Sequence, residues 1–267
     1  MNNKITKGIL TISGCLIVLG IGIYCGSQLY IQSIESKEND DSLQSLQEVF
    51  YDSEIKDNEA NEDLESAKLS SDITYEDLQD RYNIMKDIND DYVCWIRIKG
   101  TKVDYPVVQE SLNDIGFYLK HNFNKRYSNY GAVFLSASCS IESDNLVIQA
   151  HNMRNGSMFG QLDNYKNQDW AEEHRIIEIT TENQKRFYEV IAVIIQNADY
   201  PVVDWSENTE FSSSENSRRY AVLCMNHSIV SLGITVYGNN IEQYITLSTC
   251  EYTHSNGRLL VVARRIL

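Results

Sequence analysis

The C-terminal stretch Tyr244–Arg265 constrains this chain more than any other. It reads as a strand, a turn and a second strand. Ile245 and Leu247 alternate with Thr246 and Ser248, the period of a half-buried strand. Leu259 to Ala263 is a short apolar run with β-branched residues, as expected of a buried strand. Between them Ser255-Asn256-Gly257 is turn chemistry, with glycine able to take a positive φ. Such a hairpin needs a sheet to join. It also sets Cys250 at one strand end and Arg258 at the start of the next, so that a thiol and a guanidinium face one pocket. A permanent cation beside a sulfur favours the nucleophilic thiolate. It would also hold an oxyanion formed when that sulfur attacks a carbonyl.

Upstream, the chain continues in short strands. Tyr92 to Ile98 and Lys102 to Val108 read as strands joined by a Lys-Gly-Thr turn. Gly131 to Leu135 and Asn145 to Gln149 are two more, and Ile176 to Thr180 with Arg186 to Gln196 read as a hairpin. Helical segments are expected at residues 71–88, 156–165, 168–174 and, longest, 213–232. Eight or so short strands with few helices fit a mainly β fold, a closed barrel with insertions. The sequence shows no internal repeat and no Gly-rich phosphate loop.

Two motifs resemble one known family. Thr246-Leu-Ser-Thr-Cys250, a short loop, then Arg258 before Val-Val-Ala is similar to the active-site signature of the sortases, cysteine transpeptidases of Gram-positive cell surfaces. Gln149-Ala-His-Asn-Met-Arg-Asn-Gly-Ser-Met-Phe159 resembles the His-Asn-Met-x-x-Gly-Ser-Met-Phe element of class B sortases. The resemblance spans roughly residues 73–267. It implies the sortase type of eight-stranded β-barrel, with N-terminal helices and one long inserted helix. Two positions depart from the pattern: Ala150 stands where glycine commonly precedes the histidine, and Ser136-Ala-Ser follows Val-Phe-Leu where an aspartate is commoner. Neither removes a reacting group.

Within this frame Cys250 is the expected nucleophile, since sulfur needs only a modest base. His151, after the strand Leu146-Val-Ile-Gln, is the expected general acid and base, because imidazole exchanges protons near neutral pH. Arg258 is the third member and acts through charge and hydrogen bonds, never as a base. His254 lies closest to Cys250 in sequence but reads as a solvated loop residue, and Cys94, Cys139 and Cys224 read as small buried hydrophobes. Their spacing matches no zinc pattern and leaves a Cys–Cys bridge open. By the resemblance, Ser248, Glu251, Leu119, Tyr118 and Asn122 line a substrate groove; as ordinary barrel residues they need no such role. No metal or organic cofactor is called for.

The N-terminal third is different in kind. Gly8 to Ile34 carries no charged residue, long enough to span a bilayer, which takes about 20 residues. Lys4 and Lys7 precede it and acids follow, which places the N-terminus (residues 1–7) in the cytoplasm and everything beyond a transmembrane anchor at 8–31 outside the cell. A cleaved signal peptide would have a shorter apolar core, ~7–15 residues, and a small-x-small site that is poorly matched here. Residues 32–72 read as an acidic extracellular spacer, although Leu43, Leu46, Val49 and Phe50 recur at helical spacing. Residues 31–80 carry most of the net charge of −15, with 16 Asp/Glu against three Lys, so the remainder is nearly neutral, with no basic patch for nucleic acid.

The function implied is a membrane-anchored transpeptidase. It would cleave secreted proteins bearing a Pro-x-Thr-type sorting motif after the Thr and transfer them to an amino group of a peptidoglycan precursor. The rival readings are a surface peptidase hydrolysing the same bond and a surface interaction module that has lost catalysis.

Overall fold

The computed structural model describes residues 2–51, 74–204, 208–234 and 240–267, with side chains from Leu19 onward. The chain divides into two units, residues 1–45 and 46–267. The first is helical: α1 runs Asn2–Tyr51, its last turns belonging to the second unit. Leu19, Ile21, Ile23, Leu29, Ile31 and Ile34 are exposed on it. No helix among the described residues is long and apolar enough to cross a membrane. The expected anchor at 8–31 falls partly on residues whose side chains lie outside the description.

The second unit is a closed barrel. Its strands are β1 Tyr92–Arg97, β2 Asp104–Gln109, β3 Val133–Leu135, β4 Asn145–Gln149, β5 Ile176–Thr180, β6 Lys185–Asn197, β7 Tyr244–Glu251 and β8 Gly257–Arg265. Around the barrel the order is β1-β2-β3-β4-β7-β8-β6-β5, closed by the antiparallel pairing of β5 with β1. All pairings are antiparallel except β2 with β3 and β4 with β7. Parallel neighbours need long crossovers. Those two crossovers carry the loop around the 3₁₀ turn Phe117–Leu119 and, after β6, helix α4 Ser214–Asn226. Among the described residues the other α-helices are α2 Tyr75–Ile88 and α3 Gln168–Glu173. Thr74 and Asp77 form a reciprocal capping box that starts α2, inside the expected start at 71.

Strands β6, β7 and β8 are covered on both faces where α4 lies over them. Tyr220, Ala221 and Cys224 of α4 pack with Phe211 on Ile194 of β6, Tyr244 of β7, and Leu260 and Val262 of β8. This corrects the half-buried reading of β7: Thr246 and Ser248 are as buried as Ile245 and Leu247. The Tyr220 and Thr246 hydroxyls lie 2.8 Å apart, and Thr246 donates to Asn145 Oδ1 at 3.0 Å. Polar alternation in β7 therefore marks a hydrogen-bonded interface under α4, not a wet face. α4 ends at Asn226 rather than 232, where Ser228 turns the chain by accepting from Val193 N–H and donating to Val230 O.

The stretch 32–72 also differs from a plain spacer. Its residues to Tyr51 are helical, and those beyond lie outside the described residues. Phe50 stacks on Trp95 at 4.1 Å, and Tyr51 Oη and Trp95 Nε1 both donate to Asp104 Oδ1, at 2.7 and 2.6 Å. The helical spacing of Leu46 and Phe50 is thus the spacing of a buried face.

Candidate active site

Cys250 and Arg258 are directly paired across β7 and β8. By strand alternation they share a face with Ser248–Leu260 and Thr246–Val262, the face that α4 covers farther down. Directly opposite side chains have Cβ atoms about 4.5–5.5 Å apart, so the thiol and the guanidinium open onto common space. Arg258 Nη1 donates to Gly257 O at 3.0 Å, and the side chain is half-buried.

The hairpin that sets this pairing is tightly built. The positive φ falls on Asn256 (50°), not on Gly257. Gly257 is needed for room: a Cβ there would lie 2.5 Å from Glu251 O. Asn256 Nδ2 donates to Asp199 Oδ1 at 2.8 Å and Asn197 Nδ2 to Ser255 O at 2.9 Å, tying the turn to the end of β6.

His151 leaves β4 beside β7. The parallel ladder ends at Gln149–Ser248, with Ala150 N–H still reaching Ser248 O at 3.4 Å. Beyond it side chains join the two segments. Thr249 Oγ1 donates to Ala150 O at 2.8 Å, Asn152 Nδ2 to Cys250 O at 2.8 Å, and Tyr252 Oη to Asn152 O at 3.2 Å. His151 Nε2 lies 2.7 Å from Leu119 O. A carbonyl only accepts, so Nε2 carries the proton and Nδ1 is the nitrogen left for a second partner.

The other thiols are unlike Cys250. Cys94, Cys139 and Cys224 are free but buried, and burial pushes them up to about 12, 11 and 12 respectively. Cys250 is free and partly exposed.

The five residues expected along a groove separate. Leu119 is 40% exposed and presents its carbonyl to His151. Asn122 caps a turn, its Oδ1 accepting from Asn124 and Arg126 N–H at 3.1 Å each. Tyr118 is buried and donates to Asp91 Oδ2 at 2.6 Å. Ser248 is buried too. Glu251 points the opposite way from Cys250, its side chain fully enclosed. Burial would raise its carboxyl, but hydrogen bonds from Lys166, Thr253 and His254 outweigh that and hold it at about 2. Lys166 Nζ is 2.8 Å from Glu251 Oε1 and 2.9 Å from Asp163 Oδ1. Sequence reasoning passed over Asn152, Asp163 and Lys166. Asn152 sits inside the quoted His-Asn-Met motif, which was the available signal.

A sortase domain model matches residues 96–266. The chain belongs to the sortase family. Sortase B of Listeria monocytogenes is 26% identical over 264 residues, 97% of this chain and 98% of the relative. The X-ray structure of Clostridium perfringens sortase B is 34% identical, covers 69% of this chain and 99% of its own, and superposes with a TM-score of 0.63. The Staphylococcus aureus sortase B–substrate complex shares the fold at a TM-score of 0.70, covering 87% and 98% at 23% identity. These relatives make it a class B sortase, a cysteine transpeptidase.

Proposed function

We propose that this sortase attaches secreted proteins carrying a Pro-x-Thr-type sorting motif to peptidoglycan, with Cys250, His151 and Arg258 as its reacting set. The Cys250 thiol passes its proton to His151 Nδ1, and its sulfur attacks the Thr carbonyl carbon. The carbonyl electrons move to oxygen, and Arg258 stabilises that oxyanion. The tetrahedral adduct collapses with cleavage of the C–N bond, and His151 gives its proton to the departing amine. A thioester remains on Cys250. An amino group of a peptidoglycan precursor then adds to the thioester carbonyl, His151 accepts its proton, and the thiolate leaves. The observation that carries this reading is the cross-strand pairing of Cys250 with Arg258, beside the strand end that bears His151.

Leu119, half-exposed next to His151, lines the substrate path, with Asn122 on the same loop; Tyr118, Ser248 and Glu251 support its walls from behind. The chain is held to the membrane by residues 8–31, with its N-terminus cytoplasmic and the barrel outside. What supports this is the charge-free run from Gly8 to Ile34 and the two lysines before it. Water competes with amine for the thioester, so hydrolysis of the same bond is the second reading. The test is product analysis of a Pro-x-Thr peptide with and without a glycine or diaminopimelate amine. Transpeptidation predicts an amine-dependent ligated product. Hydrolysis alone, unchanged by amine, would leave the peptidase reading.

A further inference from the structure

We infer that Asn152 is a positioning residue, whose side-chain amide locks the segment bearing His151 to the backbone of Cys250. This rests on the reading that Cys250 and His151 react as a pair. The β4·β7 ladder stops two residues before Cys250 on β7 and two before His151 on β4. Past that point no strand pairing holds nucleophile and base in register, and a few side-chain bonds must do it. Asn152 is at their centre. It is buried, at 7% exposure. Its Nδ2 donates to Cys250 O at 2.8 Å and to Asp163 Oδ2 at 3.0 Å. Both partners are oxygens that only accept, which places the NH₂ and not the carbonyl end of the amide between them. Both amide hydrogens are thereby used. Its own backbone O accepts from Tyr252 Oη, so both Cys250 and the residue two positions beyond it are tied to the residue after His151.

The lock is itself held. Asp163 is paired with Lys166, and Lys166 with the enclosed Glu251, so the amide's acceptor is anchored back to the residue following Cys250. Asn152 also forms a β-bridge with Met158, whose φ is 52°, and Gly160 packs so closely on Met153 that a Cβ would lie 2.2 Å from its carbonyl oxygen. The loop from His151 to Lys166 is thus shaped to deliver one amide to one carbonyl. A misplacement of about 1 Å between reacting groups can cost ~10²-fold in rate.

The experiment is pre-steady-state acylation of the full-length protein in detergent by a Pro-x-Thr peptide, separating burst amplitude from rate constant. Asn152→Asp keeps the shape and removes both donors. The expected result is full amplitude with an acylation rate constant lowered about 10- to 100-fold, and a largely unchanged KM. A purely structural role gives the reverse, reduced amplitude with a normal rate constant, and that overturns the inference, as does wild-type behaviour in both. The exchange Asn152→Asp with Asp163→Asn restores the bond between those two side chains but leaves Cys250 O without a donor. It should stay slow; recovery would overturn the inference by showing that the Asp163 link alone matters. If Asn152→Asp does not fold, Asp163→Ala, which frees the amide, must slow acylation at full amplitude; a normal rate constant there overturns the inference equally. Cys250→Ala and His151→Ala run alongside. Acylation of Cys250→Ala, or acylation of His151→Ala at the wild-type rate, would defeat the reading of the pair, whereas the expected loss and slowing with a normal Asn152→Asp defeat only the lock.

Discussion

Cys250 and Arg258 are opposite one another in the register of β7 and β8, and a slip of one residue would send one of them to the far face. Their meeting depends on the length of the turn between Glu251 and Gly257 and on Gly257 itself, where any side chain would press on Glu251 O. Gly257→Ala should therefore shift the hairpin and lower acylation while Cys250 stays in place. Acylation kinetics against thermal stability checks this, and unchanged acylation would show that the hairpin yields without cost.

Cys250→Ala should abolish cleavage of a Pro-x-Thr peptide without loss of fold. Cys94, Cys139 and Cys224 offer no substitute, because burial keeps them protonated. Intact-mass analysis after brief treatment with iodoacetamide checks the selectivity within the barrel: modification there should fall on Cys250. Retained turnover with a trapped adduct on one of the buried thiols would overturn the assignment.

Glu251 gives a stability prediction with a definite sign. Its folded pKa of about 2 lies below the ordinary 4.5, so its contribution is complete above about 4.5 and is lost as pH falls toward 2. The depression corresponds to about 3 kcal/mol as an order of magnitude. Glu251→Gln should destabilise the protein at pH 7, and the difference from wild type should shrink between pH 4.5 and 2. Denaturant melts across that range test it; a constant difference would mean that the Lys166 pairing contributes nothing.

The end of α1 is part of the barrel's core. Deleting residues 1–31 should leave a folded, active protein, because the second unit begins at Leu46. Deleting through Tyr51 removes Phe50 from Trp95 and Tyr51 from Asp104. Phe50→Ala alone should cost about 3 kcal/mol, typical of a buried phenylalanine. Chemical denaturation of the three proteins measures this, and equal stability would show the helix end to be a passenger.

The barrel was legible because its strands are short, apolar and punctuated, and so were the positions of Cys250, His151 and Arg258 at strand ends, because each follows or opens a predicted strand. Burial was not legible where a polar residue meets a polar partner from elsewhere in the chain. Thr246 looks solvent-facing until Tyr220 and Asn145 are placed beside it, 26 and 101 residues away. Glu251 looks like a groove residue because it adjoins Cys250, yet strand alternation turns it inward onto Lys166. Tyr118 is likewise claimed by Asp91. Gly257 suggested a positive φ, while the constraint is close approach, a property of three-dimensional packing. Asn152 was in view within its motif, but its two acceptors lie 11 and 98 residues along the chain.

The most direct test of the proposed site is a single-turnover reaction with intact-mass detection of acyl-Cys250 in wild type, His151→Ala, Arg258→Ala and Arg258→Lys. Wild type should form the thioester and release it to added amine. His151→Ala should lower thioester formation by about 10²–10⁴-fold, because the leaving amine has no proton donor. Arg258→Ala should slow both formation and breakdown by at least ~10²-fold, since each passes through an oxyanion. Arg258→Lys keeps the charge but not the fork geometry and should remain badly impaired. Near-normal acylation by Arg258→Ala would contradict the account, remove Arg258 from the site, and require the same measurement on Arg264 and Arg265.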